Sequence, residues 1–246
     1  MATVMAVMAT LAAALSQSAC SGPSGQFYVV HNQVPSAGCV IPAGDSGLYQ
    51  GEGVLDVRVP TTSDAAYLLF PLLRNDLPAE GEGGVEPNRI ALAGFEVDVA
   101  FVDGNAAAGD FFSGLAADSA TQALVRYQSA WSGSVAPAGG MTTAITGIIP
   151  AALAQRLRDA NILADGSTLR VDARVRAFGD KLGGRIKSDP FTYPIRICDG
   201  CLINRVTTCP ASGPILKGGV CNPGQDSAVD CCTQGGDLIC PATSAP

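Results

Sequence analysis

Nine cysteines are spread unevenly along this 246-residue chain, and their positions limit what it can fold into. Cys20 ends an uncharged apolar leader, and Cys39 stands alone. The others crowd toward the C-terminus at Cys198, Cys201, Cys209, Cys221, Cys231, Cys232 and Cys240. So many thiols are typical of oxidising compartments, where disulfides persist. We therefore expect an exported protein in which the eight cysteines after Cys20 form disulfides.

The leader, residues 1–19, has the features of a secretory signal. Its apolar run from Val4 to Leu15 matches the short apolar region of such a signal and is too short to cross a bilayer as a helix, although the leader lacks the basic residues with which a signal usually opens. The sequence Ser-Ala-Cys at 18–20 resembles the small residues that precede the lipidated cysteine of bacterial lipoproteins. An odd cysteine count also favours lipidation of Cys20, because eight cysteines then remain to pair.

We therefore expect residues 20–25 to tether the protein to a membrane through lipid on Cys20. Ser21 follows the cysteine where aspartate would indicate the inner membrane in lipoproteins, so the expected location is the outer membrane, on its periplasmic or cell-surface face. The alternative is cleavage after Ser18, which would give a secreted protein with an ordinary Cys20 thiol.

Composition and charge indicate a folded domain that does not bind nucleic acid. Apolar residues make up 47% of the chain and charged residues 15%, which is typical of globular proteins. The net charge of −7 argues against nucleic acid, whose phosphates require clustered Lys and Arg. It also argues against docking on anionic headgroups, so membrane attachment would be through lipid.

Alternating apolar and polar residues predict strands along most of the chain. The clearest alternations are Phe95–Phe101 and Leu169–Ala177, each with one apolar and one charged or open face. Further strand patterns cover Gln26–His31, Val54–Val59, Tyr67–Leu73, Leu124–Trp131, Met141–Ile149 and Phe191–Ile197. About eight strands at such spacing predict an all-β fold, an antiparallel β-sandwich of Ig-like or Greek-key style over residues 26–198.

Two of these strands carry more specific predictions. In Val54–Val59 the alternation places the apolar side chains on the core and Asp56 in solvent. Pro190 and Pro194 place Phe191–Ile197 at a sheet edge, because proline cannot donate to a ladder on both sides.

One short helix is predicted after Pro150. Proline suits the first position of a helix, and Leu153 and Leu157 recur at i and i+4 on one face. Asn161 can end the helix in a left-handed conformation. A parallel α/β fold would need several longer helices, so a single short one favours the sandwich.

Three arginines, Arg170, Arg174 and Arg176, project from one face of the strand Leu169–Ala177. They could form a site for an anion or a polysaccharide. However, Glu96 and Asp98 occupy the exposed face of another alternating strand, and cross-strand pairs of opposite charge are an ordinary stabilising feature. We therefore interpret the arginines as a solvated face paired with acidic side chains.

The tail, residues 199–246, is rich in Gly, Pro and Asp and has few consecutive apolar residues. It cannot bury a sizeable core, so we expect a disulfide module in which each bridge contributes about 2 to 4 kcal/mol. The adjacent Cys231 and Cys232 must take different partners. Cys39 is expected to join the tail to the sandwich, at Cys198 or Cys201, while the other pairings stay open.

Cys198 and Cys201 form a CxxC motif, which occurs in redox enzymes and in zinc sites. A redox CxxC opens a helix after a strand, and Leu202–Arg205 does not predict one. Zinc would need a second CxxC or a histidine pair, which the sequence lacks. We therefore expect neither a metal nor a cofactor.

The sequence also predicts no catalytic residues. His31 is the single histidine, and no Gly-x-Ser-x-Gly motif supplies a nucleophile, so His31 is interpreted as a packed or surface residue. The acidic pairs Asp103 with Asp110, and Asp226 with Asp230, lack the spacing of a calcium loop and are interpreted as turns. Paired carboxylates of a glycoside hydrolase would meet only in the tertiary structure.

Four segments carry a family resemblance: the leader ending in Ser-Ala-Cys, YVVHNQVPSAGCVIP, PFTYPIRICDGCL and CNPGQDSAVDCC. Together they resemble a class of functionally uncharacterised lipoproteins from myxobacteria and their relatives. The resemblance covers both ends of the mature chain, and it implies an envelope location and paired cysteines but no catalytic residues.

The leading hypothesis is a non-enzymatic exported lipoprotein that binds an envelope protein or glycan, or has a structural role. The alternatives are a carboxylate-dependent hydrolase acting on polysaccharide and a thiol-disulfide oxidoreductase that uses Cys198 and Cys201.

Overall fold

A computed structural model of the chain describes residues 25–42, 44–45, 47–61, 63–80, 85–163, 166–209 and 213–241. The predicted leader, Cys20 and nearly all of the predicted tether lie outside these residues. Strands account for 49% and helices for 12% of the structure, which confirms the predicted all-β fold.

Fifteen strands follow one another along the described residues. They are β1 (Phe27–Gln33), β2 (Tyr49–Gln50), β3 (Gly53–Asp56), β4 (Ala65–Leu69), β5 (Pro71–Asn75), β6 (Ile90–Asp103), β7 (Arg126–Val135), β8 (Gly140–Thr143), β9 (Thr146–Pro150), β10 (Thr168–Lys181), β11 (Gly184–Lys187), β12 (Phe191–Cys198), β13 (Ile203–Thr208), β14 (Val229–Gln234) and β15 (Asp237–Ile239).

The strands form one large sheet and three smaller ones. The six-stranded sheet has the order β3-β12-β10-β6-β7, with β11 paired to the end of β10. A four-stranded sheet (β2-β1-β5-β8) and a two-stranded sheet (β4-β9) contribute side chains to the same hydrophobic core as the large sheet. The tail forms a three-stranded sheet, β13-β14-β15. Pairing is antiparallel except between β3 and β12 and between β13 and β14.

The two longest strands, β6 and β10, pair along nearly their whole length and confirm the clearest predicted alternations. On β10, the side chains of Val171, Ala173, Val175 and Ala177 are fully buried. The residues between them point away from the core, because successive side chains on a strand face opposite sides. The sheet therefore has one apolar inner face and one polar outer face.

Two α-helices occur in the described residues, α1 (Ala106–Ala117) and α2 (Ala151–Asp159), together with a 3₁₀-helix at Gln122–Leu124. The predicted helix is α2: Pro150 is its N-cap, Leu153 and Leu157 are fully buried, and Asn161 follows it with a φ of 50°.

Helix α1 was not predicted, so the expectation of a single helix is wrong. The segment from Asp103 to Asp110, interpreted as a turn, instead starts this helix. Asn105 caps it by accepting a hydrogen bond from the Ala108 N–H at 2.8 Å, and Phe112 and Leu115 are buried. The Asn105 cap and the burial of these two side chains outweigh the low helix propensity of the two glycines in α1.

The strand predictions differ from the structure in several places. The predicted strand Met141–Ile149 is divided into β8 and β9, and the predicted strand Val54–Val59 ends at Asp56. The predicted strand Tyr67–Leu73 is divided into β4 and β5 at Phe70, whose N–H donates to Asn32 Oδ1 at 2.8 Å. Strand β12 is not at a sheet edge but lies between β10 and β3. Pro194 is accommodated because β3 pairs only with Ile195–Cys198, just beyond the proline.

Candidate functional site

All eight cysteines after Cys20 are joined in disulfides. The pairs are Cys39–Cys221, Cys198–Cys201, Cys209–Cys232 and Cys231–Cys240. The adjacent Cys231 and Cys232 take different partners, and Cys39 does reach the tail. The expected partner of Cys39 was wrong, however, because Cys198 and Cys201 bridge each other across a turn, leaving Cys39 to pair with Cys221.

The turn that contains the CxxC motif is organised by Asp56. This side chain was predicted to face solvent, but Asp56 is only 1% exposed. Its carboxylate accepts hydrogen bonds from the backbone N–H groups of Gly200 at 2.7 Å, Leu202 at 2.8 Å and Arg58 at 3.0 Å. A buried carboxylate requires hydrogen-bond donors, and these backbone N–H groups supply them to Asp56.

This turn is poorly suited to redox chemistry. Cys198 ends β12 and β13 begins at Ile203, so the CxxC motif joins two strands and does not open a helix. The Asp56 carboxylate and both sulfur atoms lie within 4.8 Å of one another. A carboxylate at that distance disfavours a thiolate, whereas a reactive CxxC requires one. The arrangement acts as a structural tie between β3 and the start of the tail.

A buried chain of hydrogen bonds links the sandwich to the tail through Asn32, Tyr193, Tyr67 and Asp226. The Tyr67 hydroxyl donates to Asp226 Oδ2 at 2.7 Å, and it lies 3.1 Å from the Tyr193 hydroxyl. Asn32 Nδ2 donates to the Tyr193 hydroxyl at 3.1 Å. Because Tyr67 gives its proton to Asp226, Tyr193 must donate to Tyr67. Every hydroxyl in the chain is therefore both donor and acceptor.

The backbone around this chain fixes its ends. Asn32 Oδ1 accepts from the Phe70 N–H, which determines the orientation of the amide, and Asp226 Oδ1 accepts from the Val54 N–H at 2.7 Å. Gly53 provides room for the Tyr67 hydroxyl, since a Cβ at this position would overlap it. The four side chains thus have one geometry that satisfies all of them.

Burial shifts the titration of these groups. It raises the pKa of Asp226, and it raises the pKa of Tyr67 well above that of a free tyrosine. Burial also raises the pKa of Tyr193 to about 12. Both phenols are therefore neutral donors at physiological pH.

The tail segment 222–226 also takes the place of a neighbouring strand. Gln225 Oε1 accepts from the Leu68 N–H at 2.9 Å, and Gln225 Nε2 donates to the Leu68 carbonyl at 2.8 Å. Asn222 Nδ2 donates to the carbonyl of Ala66. These amides supply the hydrogen bonds that the edge of β4 would otherwise lack.

The cavity beside this segment does not have the residues of a glycoside hydrolase. It holds about 120 Å³, and Asp226 is the one carboxylate among the described residues that line it. Glycoside hydrolysis requires two carboxyl groups flanking the bond. Asp230, grouped with Asp226 in the sequence, faces elsewhere: it accepts from Asn204 and pairs with Arg205 at 2.7 Å, and the Asn204 hydrogen bond lowers its pKa.

His31 lies on β1 and is partly buried. Its Nε2 is 3.7 Å from Asp45 Oδ1, and its ring centroid is 5.4 Å from that of Tyr49.

The outer face of the six-stranded sheet carries the charged residues of β6, β7, β10 and β11. Register places Arg174 opposite Asp98 and Arg176 opposite Glu96, as the alternation suggested. The ion pairs nevertheless form with other strands. Asp98 pairs with Arg126 of β7 at 3.1 Å, and Glu96 pairs with Lys187 of β11 at 2.7 Å.

The interpretation of a fully paired arginine face is therefore wrong in part. Arg170 lies 3.8 Å from Asp172. Within the described residues, neither Arg174 nor Arg176 has a carboxylate oxygen within 4.0 Å. Arg176 Nε is also buried without a hydrogen-bond acceptor. Because Asp98 and Glu96 pair with residues of the flanking strands, the guanidinium groups of Arg174 and Arg176 have N–H donors without a carboxylate partner in the described part of the chain.

These two arginines border an open depression of about 440 Å³ on the outer face, which we call the arginine groove. Its lining residues are Glu96, Val97, Asp98, Arg126, Tyr127, Gln128, Arg174 and Arg176. Lys187 lies beside the groove, where it pairs with Glu96. The three arginines and this lysine outnumber the two carboxylates, so the groove is locally positive on a chain whose net charge is −7. The sequence indicated the arginines but not which of them lack acidic partners.

No family model, curated protein or solved structure matches the chain. In the described part of the chain, no helix combines the length and the apolar content that crossing a bilayer requires.

Proposed function

We propose that the protein is a non-enzymatic exported lipoprotein that has a binding or structural role in the bacterial cell envelope. The observation that carries this proposal is the disulfide set. All eight cysteines after Cys20 are bonded to one another, so Cys20 has no cysteine in the chain left to pair with. Lipid attachment at Cys20 accounts for the odd residue in an oxidising compartment.

The geometry of the polar clusters supports a binding or structural role over an enzymatic one. Asp56 satisfies the CxxC turn, and Asp226 satisfies a hydroxyl chain and a backbone N–H. Both carboxylates are occupied by donors from the protein itself. In the arginine groove, by contrast, charged side chains face solvent.

The test is intact mass measurement and non-reducing peptide mapping of the protein purified from its native envelope. We expect diacylglycerol on Cys20 and four bridged cystines. The variant Cys20→Ser should lose the lipid mass and leave the membrane fraction, whereas Ser18→Ala, which keeps a small residue before the cleavage site, should behave like the native protein.

Two results would overturn the proposal. A mature chain that begins at Ala19 with an unmodified Cys20 would identify a secreted protein. Release of reducing sugar from a polysaccharide by the purified protein would identify an enzyme.

A further inference from the structure

We propose that the arginine groove binds an acidic polysaccharide, whose anionic groups are held by Arg174 and Arg176. This inference rests on the proposed function, because it assigns a ligand class to an envelope protein.

The first argument is the availability of the two guanidinium groups. Arg126 and Lys187 neutralise Asp98 and Glu96, so the carboxylates of the groove are already compensated. Arg174 and Arg176 are not paired with an acid within the described residues, and the Nε of Arg176 has no acceptor. A planar guanidinium group matches the two oxygens of a carboxylate or the oxygens of a phosphate. An anionic ligand in the groove would supply acceptors for the exposed N–H groups of these guanidinium groups.

The second argument is spacing. Arg174 and Arg176 are two residues apart on β10 and project from the same face, so their Cα atoms are separated by about 7 Å. Arg170 lies on the same face of β10, but Asp172 separates it from Arg174 and lies 3.8 Å from Arg170, so the arginines of this face without an acidic partner among the described residues are Arg174 and Arg176. Two guanidinium groups at this separation can each hold one anionic group of the same linear polymer.

The third argument is the shape and polarity of the surroundings. The depression is open rather than enclosed, and it crosses β10, β6 and β7, so an extended chain can lie across it. Gln128 beside the arginines can donate to or accept from sugar hydroxyls. The negative charge of the rest of the chain opposes long-range attraction to large polyanions, so binding should depend on contacts within the groove.

The test uses the purified mature protein with its disulfides intact, titrated calorimetrically with polygalacturonate. Methyl-esterified polygalacturonate has the same backbone without the charge and is the matched ligand control. We expect binding to the acidic polymer and none to the ester. The double variant Arg174→Gln/Arg176→Gln should weaken binding about tenfold or more, since each arginine contributes charge-assisted hydrogen bonds.

Two further variants test whether binding depends on the arginines of the groove or on positive charge anywhere on the surface. Arg156→Gln removes a positive charge from the exposed side of α2, which does not line the groove, and should bind like the native protein. Arg174→Lys/Arg176→Lys keeps the charge but loses the guanidinium fork, and should bind between the native protein and the glutamine variant. Circular dichroism checks that each variant is folded.

Three results would refute the proposal: no binding of polygalacturonate, an equal loss of binding in Arg156→Gln, or equally tight binding of duplex DNA or of vesicles rich in phosphatidylglycerol. None of these would affect the proposed function, because lipidation of Cys20 is measured independently by mass.

Discussion

Removing one hydroxyl from the buried chain between sandwich and tail should destabilise the protein strongly. Tyr67 is fully buried and its hydroxyl is the central link, donating to Asp226 and accepting from Tyr193. In Tyr67→Phe, the hydrogen bond to the carboxyl group is lost, at a cost of about 1.5 to 3 kcal/mol. The Tyr193 hydroxyl is also left buried without an acceptor, which costs about 1 kcal/mol or more. We expect the free energy of unfolding to fall by about 3 kcal/mol in total.

Tyr127→Phe is the matched control. The Tyr127 hydroxyl makes one hydrogen bond, to the Gly147 carbonyl at 3.0 Å, so its removal should cost about 1 kcal/mol. Both variants can be measured by urea unfolding with the disulfides intact, followed by the fluorescence of Trp131, the single tryptophan.

A double variant tests whether the hydroxyls act as one unit. Once Tyr67→Phe has broken the chain, Tyr193→Phe removes a hydroxyl that no longer has its acceptor. The cost of the double variant should therefore be smaller than the sum of the two single costs. Additive costs, or a Tyr67→Phe variant no less stable than Tyr127→Phe, would refute the cooperative chain.

Two further predictions concern the same junction. Burial raises the pKa of Asp226 above 3.8, its ordinary value, so the folded protein retains this proton to a higher pH than the unfolded chain does. The stability associated with protonated Asp226 is therefore present at low pH and is lost as the pH rises from about 4 through the folded pKa. The difference in unfolding free energy between the native protein and Asp226→Asn should fall over that range, and a rise would contradict the assignment. The cystine Cys39–Cys221 closes a loop whose ends are 182 residues apart in sequence. Replacing both cysteines by serine should lower the free energy of unfolding by about 5 kcal/mol, because the unfolded chain gains the entropy of the open loop. Urea unfolding of this variant should show a much larger loss than that of Cys231→Ser/Cys240→Ser, whose loop spans 9 residues; equal losses would contradict an origin in loop closure.

The parts of the fold that the sequence predicts are those decided by local pattern. Strand β10 was identified because Val171, Ala173, Val175 and Ala177 alternate with charged or polar residues, and burial of one face requires that alternation. Helix α2 was identified because Leu153 and Leu157 share one face. Helix α1 was missed because AAAGDFFSGLAA has few polar residues to mark an exposed face.

The candidate sites depend on distant residues, and this explains the errors. The alternation of apolar and polar residues around Asp56 predicts an exposed side chain. Asp56 is buried instead, because it accepts hydrogen bonds from a turn more than 140 residues away. The chain from Asn32 to Asp226 likewise joins four separate parts of the sequence. Its one local indication is the polar segment 222–226 between cysteines, which is unusually rich in amide and acidic side chains. For Arg174 and Arg176, alternation predicted the exposed face, but only the register and side-chain positions show that Arg126 and Lys187 take the acids.

The order of the cystines along the chain has a consequence for proteolysis outside the cell. Cys39–Cys221 encloses most of the sandwich, Cys209–Cys232 overlaps that loop toward the C-terminus, and Cys231–Cys240 overlaps Cys209–Cys232 in turn. A single cut at any peptide bond between Cys39 and Cys240 therefore leaves the two fragments covalently joined. A molecule nicked once would stay in one piece without reductant, heavier by one water, and would separate only when the bridges are reduced. Any one surface loop between these two cysteines can therefore be cleaved without shedding part of the molecule.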